Sequence, residues 1–504
     1  MSGQENLTKK TARALKWNYV GIITKIGLSF GVNTLLVRLL GPRPFGELAV
    51  AMIVFGLGNL LSSIGLASAL IQKDNLEEAD VRFCFTCQMI VGSLLMLGLI
   101  ASAPLWAVFF HDPKITLLLR VFSILFVLQA FGATSTALLN RKQDAHVIQA
   151  NTIISYVIAY VGIGIPMALL HCDIWSLVVA WLSQALINSI LTYVRSRHSL
   201  RPLFEFSRLH LLTFGFRVLA ANLCSWGIVN LDNTVVGRTS GPVLLGFYSR
   251  AFTLASMADN ITFGLLQVLL PAFSRVQQEE TKLRSLYASI FGLLLFALLP
   301  ILAAVSVSAD VVVIGLYGKK WAPAIGYVRP IALAMALNAV MAISGPLLAA
   351  RGRPGREFRS QFVAVVIAVI AYVSSARISV LALSWTVLLV YAIRLFLLVS
   401  AVNREIGSRW RDLLECSYSA VVMSVVTAGT AKLLLLVLNI ENQFVKLVLV
   451  LLGVGVVMMT ALMLFGSFFL GPSLRKSPQL MALIPKRFQR IIFRAQFGGM
   501  LSRT

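Results

Sequence analysis

Charge is what this sequence has least of. Asp, Glu, Lys and Arg supply 13% of its 504 residues, where a soluble domain carries about a quarter. Together with 58% hydrophobic residues and a mean hydropathy of +0.84, this excludes a string of soluble domains and most soluble enzymes. Acid is scarcer than base: 20 Asp and Glu against 44 Lys and Arg leave a formal net charge of +24. On a soluble protein that excess would point to nucleic acid. In short loops between apolar runs it reads as topology signal and headgroup anchor, so lipid rather than nucleic acid is the expected partner. Cysteine is sparse too. Cys84 and Cys87 form a CxxC with no second pair and no His beside it, while Cys172, Cys224 and Cys416 stand alone. No zinc arrangement results, and neither metal nor cofactor is expected.

Long apolar runs are plentiful. A membrane helix needs roughly 20 predominantly apolar residues, and the stretches 48–72, 83–111, 145–172 and 447–474 hold no Asp, Glu, Lys or Arg at all. Allowing isolated charges, fourteen spans are predicted, near 14–38, 46–70, 84–108, 117–139, 147–170, 175–195, 211–236, 244–271, 286–308, 325–349, 360–376, 379–401, 413–436 and 445–470. Lys9, Lys10, Arg13 and Lys16 resemble a signal-peptide n-region. The run that follows contains Lys25 and lacks a small-residue cleavage site, so it reads as a retained first span. The fold class is therefore all-α and polytopic. Basic residues sort by loop: 29 fall on the N-terminal side and 10 opposite. The positive-inside rule then places both termini in the cytoplasm. The tail 471–504, with Lys486, Arg487, Arg490 and Arg494 around Phe488 and Ile491, reads as a basic amphipathic segment on the inner leaflet.

An internal repeat organises the spans. Residues 33–46 read NTLLVRLLGPRPFG and residues 233–246 read NTVVGRTSGPVLLG. Asn33, Thr34, Arg38, Gly41, Pro42 and Gly46 match Asn233, Thr234, Arg238, Gly241, Pro242 and Gly246 at a constant offset. Each copy covers the end of an odd-numbered span, a Gly-Pro turn and the start of the next. Six spans separate them, so the copies point the same way and form a parallel repeat about an axis along the membrane normal. This predicts a six-helix lobe over 1–200, a second over 201–405, and two additional helices over 406–470.

These residues carry a resemblance. The stretches RLLGPRPFGELAVA (38–51), SSIGLASALIQ (62–72), LDNTVVGRTSGPVLLGFYSRAFTLA (231–255), LLPAFSRVQ (269–277) and LYGKKWAPA (316–324) resemble bacterial polysaccharide-export flippases. These form the polysaccharide transporter group within the multidrug, oligosaccharidyl-lipid and polysaccharide exporter superfamily. The resemblance implies two six-helix lobes around a central cavity in the bacterial inner membrane. It also implies transfer of undecaprenyl-diphosphate-linked oligosaccharide from the cytoplasmic to the periplasmic leaflet for exopolysaccharide, capsule or O-antigen synthesis, with a polysaccharide polymerase and co-polymerase as possible partners. Enzyme activity is not implied.

A headgroup bearing a diphosphate and sugars needs positive charge and hydrogen-bond donors in place of water. Ionisable residues within spans are the natural candidates. Lys25 lies near the middle of the first span and Arg250 about two turns into the eighth. The related lipid II flippases carry cavity cations on their first, second and eighth helices, and that likeness implies a diphosphate-binding role for Lys25 and Arg250. The second span offers no matching cation. Arg217, Arg394 and Lys432 lie nearer helix ends, where snorkelling to headgroups is the simpler reading; Arg217 stays among the substrate-binding candidates. Asn33 and Asn233 add hydrogen-bonding capacity. Asp232 and Asp259 are coupling-ion candidates, and Asp232 is equally a partner for Arg250. Pro166, Pro271, Pro300 and Pro346 mark kink positions.

Two other readings compete. A multidrug exporter of the same superfamily would favour acids in its cavity, whereas the intramembrane charge here is mostly basic. A glycan polymerase or ligase would need a catalytic external loop, for which the sequence offers His111, Asp112, His171 and Asp173 in short turns.

Overall fold

The structure is a computed structural model. It describes residues 21, 24–62, 70–71, 73, 75–205, 216–258, 262 and 269–469, with 216–225, 258 and 464–469 described by backbone alone. Among these residues the chain is helical and contains no strand. Helix α1 covers 24–39. It is followed by α2 (Pro42–Ser62), α3 (Glu78–Phe110), α4 (Lys114–Arg141), α5 (Ala145–Leu169) and α6 (Ile174–Ser196). A long helix, α7 (Phe216–Ala255), precedes α8 (Glu280–Val307), the short α9 (Ala309–Tyr317) and α10 (Lys319–Ala350). Then come α11 (Pro354–Ala376), α12 (Val380–Ile406), α13 (Trp410–Val437) and α14 (Gln443–Phe469).

Eleven helices among the described residues are long and apolar enough to cross a membrane: α2 to α6, α8, and α10 to α14. Each falls on a predicted span. The first, seventh and eighth predicted spans fall on α1, on α7 and partly outside the described residues. Helices suit this environment because every mid-helix N–H and C=O is satisfied within its own segment. Leu105, Val108, Leu170, Ile378 and Leu436 are largely exposed, as side chains facing lipid should be.

By contacts the fold divides into two compact units, Met1–Gly246 and Phe247–Thr504. The lobes expected from the repeat divide at residue 200 instead. In the first unit the Gly-Pro pairs do the same work twice. Gly241 adopts φ 76°, ψ 177°, a backbone open to glycine, and breaks α7; Pro242 then restarts the helix with its fixed φ and missing N–H. Gly41 and Pro42 likewise separate α1 from α2. Four residues after each proline stands a glycine that meets the other copy. A Cβ on Gly46 would lie 1.7 Å from the Pro242 carbonyl oxygen, and one on Gly246 would lie 1.9 Å from that of Pro42. The contact is reciprocal, as two copies about a shared axis require.

After α6, Arg197 turns the chain with φ 46°, and residues 198–205 run back along α3. The Leu203 N–H donates to Thr86 Oγ1 at 2.9 Å, and Arg82 Nε donates to the Arg201 carbonyl at 3.1 Å. His198 is buried between Phe85 and Tyr193 with its Nε2 3.0 Å from Ser135 Oγ. Burial holds its pKa below the usual histidine value, opposed in part by its hydrogen bond with the Ser199 carbonyl. Cys84 and Cys87 pack into a cluster with Leu70, Val81, Phe83 and Ala137, small apolar neighbours rather than ligands.

The second unit is built on α8. Its Leu283, Tyr287, Phe291 and Leu294 share a core with Leu347, Val399, Val402 and, from α13, Cys416, Ala420 and Met423. Thr427 Oγ1 of α13 donates to the Pro300 carbonyl at 2.9 Å. Helix α13 is thus part of this core rather than an appendage. Helix α9, between the spans predicted at 286–308 and 325–349, packs against α14: the space beside Gly315 is taken by the Gln443 carbonyl and Leu447. At the end carrying the basic loops, Glu405 receives Arg351, Arg353 and Arg356 at 3.5, 4.0 and 2.9 Å. Three arginines therefore share one carboxylate.

Candidate functional site

The first unit contains a cavity of about 650 Å³ reached by Lys25 from α1. Its walls are single faces of three helices. Helix α4 contributes Gln129, Gly132, Ala133, Thr136 and Asn140, and α6 contributes Trp181, Gln184, Ala185 and Asn188. Helix α5 adds Tyr156 and Tyr160. Each set recurs every three or four residues, the spacing that aligns side chains along one helix face. Gln129 and Asn140 are eleven residues apart, so the cavity runs about 16 Å along α4, roughly half a bilayer core. Asn140 marks one end of it, next to the basic pair Arg141 and Lys142.

Close helix packing shapes the wall. A Cβ on Gly132 would lie 2.6 Å from Ser189 Oγ, which itself donates to the Leu128 carbonyl at 2.8 Å. In α5 the backbone winds as a π-helix from Val157 to Gly164, and the Ile165 N–H reaches back to the Tyr160 carbonyl. Pro166 follows at the start of the next α-helical turn. Lacking an N–H, it cannot make the α-helical bond to residue 162, and the wider winding absorbs that loss. Tyr156, just before this winding, and Tyr160, within it, stack their rings, centroids 4.6 Å apart and planes 19° apart. Lys25, itself exposed, is the one residue of a charged type among the described lining residues.

The other predicted site residues fall elsewhere. Asn33 is half-buried in α1 and outside the cavity lining. Asp232 and Asn233 are buried neighbours: one carboxylate oxygen of Asp232 accepts from the Asn233 backbone N–H at 2.7 Å and from its Nδ2 at 3.1 Å. Arg250 belongs to the second unit, half-buried and within electrostatic reach of Tyr317. The Arg217 side chain and Asp259 lie outside the described residues. Lys432 is exposed, as snorkelling requires. Arg394 is a correction. It is 7% exposed, donates from Nε to Gln361 Oε1 at 2.8 Å and from Nη1 to Asn338 Oδ1 at 3.4 Å, and lies over the Tyr391 ring. It ties α10, α11 and α12 together instead of reaching for headgroups.

Of the loop residues weighed as catalytic, His111 and Asp112 have structural contacts. Asp112 pairs with Arg43 at 3.5 Å and accepts from the Lys114 N–H at 3.0 Å, while Arg43 also binds Glu47 at 2.9 Å. The His111 ring stands against Arg238. His171 and Asp173 line a second cavity, of about 560 Å³, with Arg43, Lys114 and Trp175.

With this geometry in place, the comparisons are decisive for the family. Residues 35–326 match the family described as "Polysaccharide biosynthesis protein". The chain belongs to that family. The matched stretch holds the α4, α5 and α6 walls of the cavity, Asp232, Asn233 and Arg250. Among similar members, the succinoglycan biosynthesis transport protein ExoT of Rhizobium meliloti (strain 1021) is 26% identical over 66% of this chain and 66% of its own. The lipopolysaccharide biosynthesis protein WzxC of Escherichia coli (strain K12) is 23% identical over 70% of this chain and 73% of its own. The solved structure titled "Lipid II flippase MurJ, inward closed conformation" superposes with a TM-score of 0.67 at 14% identity, covering 88% of this chain and 98% of that one. This family member therefore has the fold of a membrane transporter. Composition, spans and relatives agree on a multi-pass membrane protein of polysaccharide biosynthesis.

Sequence reasoning singled out Lys25 and missed the walls around it. Gln129, Thr136 and Asn140, then Gln184 and Asn188, recur at helical spacing in otherwise apolar spans. That signal was present; attention to full charges passed over it.

Proposed function

We propose that this protein is a flippase that moves undecaprenyl-diphosphate-linked oligosaccharide repeat units from the cytoplasmic to the periplasmic leaflet by alternating access. The lobes over 1–200 and 201–405 would rock about the repeat axis, with both termini in the cytoplasm. A polymerase and co-polymerase would take up the product. One observation supports this reading: a member of the polysaccharide biosynthesis family has a cavity among its apolar helices walled by amides, hydroxyls and aromatic rings, and the one charged residue among its described lining residues is positive. Such a site suits an anionic headgroup bearing sugars. A cationic drug would find no carboxylate among the described lining residues. Lys25 and Arg250 are assigned to the diphosphate, Arg217, Asn33 and Asn233 to supporting contacts, and Asp232 and Asp259 to any coupling ion.

The test is export in cells lacking the chromosomal copy. Lys25→Ala and Arg250→Ala should abolish polymer on the surface at normal protein abundance, and Lys25→Arg should retain part of it, because charge survives but the donor geometry changes. Normal export by both alanine variants would sink the cationic-site argument. Drug resistance conferred by the wild-type protein without polymer export would favour the multidrug reading.

A further inference from the structure

We propose that the cavity between α4, α5 and α6 is a saccharide subsite that holds neutral sugar residues of the cargo; this rests on the flippase reading above and goes beyond its diphosphate contacts. The polar groups on its walls are matched to hydroxyls rather than to ions. Gln184 and Asn188 stand one turn apart on α6 and Gln129 faces in from α4. Each amide offers both donor and acceptor, as a sugar hydroxyl also does. No carboxylate is among the described lining residues, and the one cation among them, Lys25, comes from α1.

The aromatic groups complete the match. A pyranose ring presents a face of C–H bonds carrying slight positive charge, which is attracted to the negative face of an aromatic ring. The stacked pair Tyr156 and Tyr160 and the indole of Trp181 line this one cavity. A polyprenyl chain would be a poor occupant, because it would desolvate the amides without returning a hydrogen bond. The volume of about 650 Å³ lies within the roughly 300–1,000 Å³ of pockets that enclose a compact organic ligand, which suits a short oligosaccharide. The π-winding from Val157 to Gly164 re-aims this stretch of α5, and such windings are frequent at functional sites.

The test uses the full chain in lipid nanodiscs and two soluble probes titrated separately: the neutral oligosaccharide released from the exported polymer by partial hydrolysis, and inorganic pyrophosphate. Tyr160→Ala and Gln184→Ala should each weaken oligosaccharide binding about tenfold or more while pyrophosphate binding holds. Lys25→Ala should do the reverse, and Tyr160→Phe, which keeps the ring, should bind oligosaccharide nearly as wild type does. If Tyr160→Ala loses both probes, its cavity has collapsed, and Gln184→Ala decides. Oligosaccharide affinity indifferent to the substitutions, or absent in a wild-type protein that binds pyrophosphate, would overturn the subsite and leave the flippase reading standing. Oligosaccharide binding that obeys the substitutions, in a protein that moves no lipid-linked sugar between vesicle leaflets, would overturn the flippase reading and keep the subsite.

Discussion

Gly41 and Gly46 are five residues apart and look interchangeable in the sequence, yet they bear different constraints. The space beside Gly41 is open, whereas a Cβ on Gly46 would collide with backbone of the second repeat copy, which cannot turn aside as a side chain does. Gly46→Ala should therefore cost about 1–3 kcal/mol or more by overpacking, and Gly41→Ala little; thermal unfolding of the two purified variants compares them directly. Arg394 makes the opposite point about charge. Its side chain satisfies Gln361 and Asn338 together, so Arg394→Lys, which keeps the charge but loses the planar fork, should destabilise by about 1–3 kcal/mol as the buried Gln361 and half-buried Asn338 amides lose a partner. A lysine that stabilises as well as arginine would restore the snorkelling reading. The sequence placed Arg394 nearer a helix end, whereas it stands midway along α12 (Val380–Ile406). Its depth was invisible, because depth depends on which of three helices flank it.

At the scale of elements, the connection 197–205 is where acidity should act. His198 is held neutral by burial against Ser135, Phe85 and Tyr193, with Arg82 also bound to this segment. Its folded pKa lies below its unfolded value, so the stability it confers is fully present above about pH 6.5 and is lost as pH falls below that value. Hydrogen exchange of residues 198–205, corrected for intrinsic rates, should quicken between pH 7.5 and pH 5.5 in the wild-type protein. In His198→Gln, which cannot be protonated, the corrected rates should not respond to pH.

Apolar length alone made the eleven described spans legible, since a bilayer demands it whatever the packing. Helix α9 was not legible: nine residues cannot span, and their apolar faces are explained by packing against α14 and α10. The cavity was hidden for a related reason. Gln129, Tyr160 and Gln184 lie on three helices, and no periodicity within one helix shows that three faces converge.

For the molecule as a whole, the positive charge of the proposed diphosphate site has an electrical consequence on the proposed cycle. The diphosphate is anionic, and an inside-negative potential favours the outward passage of negative charge by about 2.3 kcal/mol per charge per 100 mV. Lys25 and Arg250 offset that charge on the loaded stroke; emptied, the site keeps both cations, and the same potential draws them back inward. Over the whole cycle only the cargo's negative charge is moved outward, and the protein works as a rectifier with no exchanged ion required. In reconstituted vesicles, an imposed inside-negative potential should accelerate turnover of the wild-type protein and act more weakly on the return step of Lys25→Gln, whose emptied site gives the field less charge to pull. Turnover indifferent to potential would mean that direction comes from consumption of the product instead.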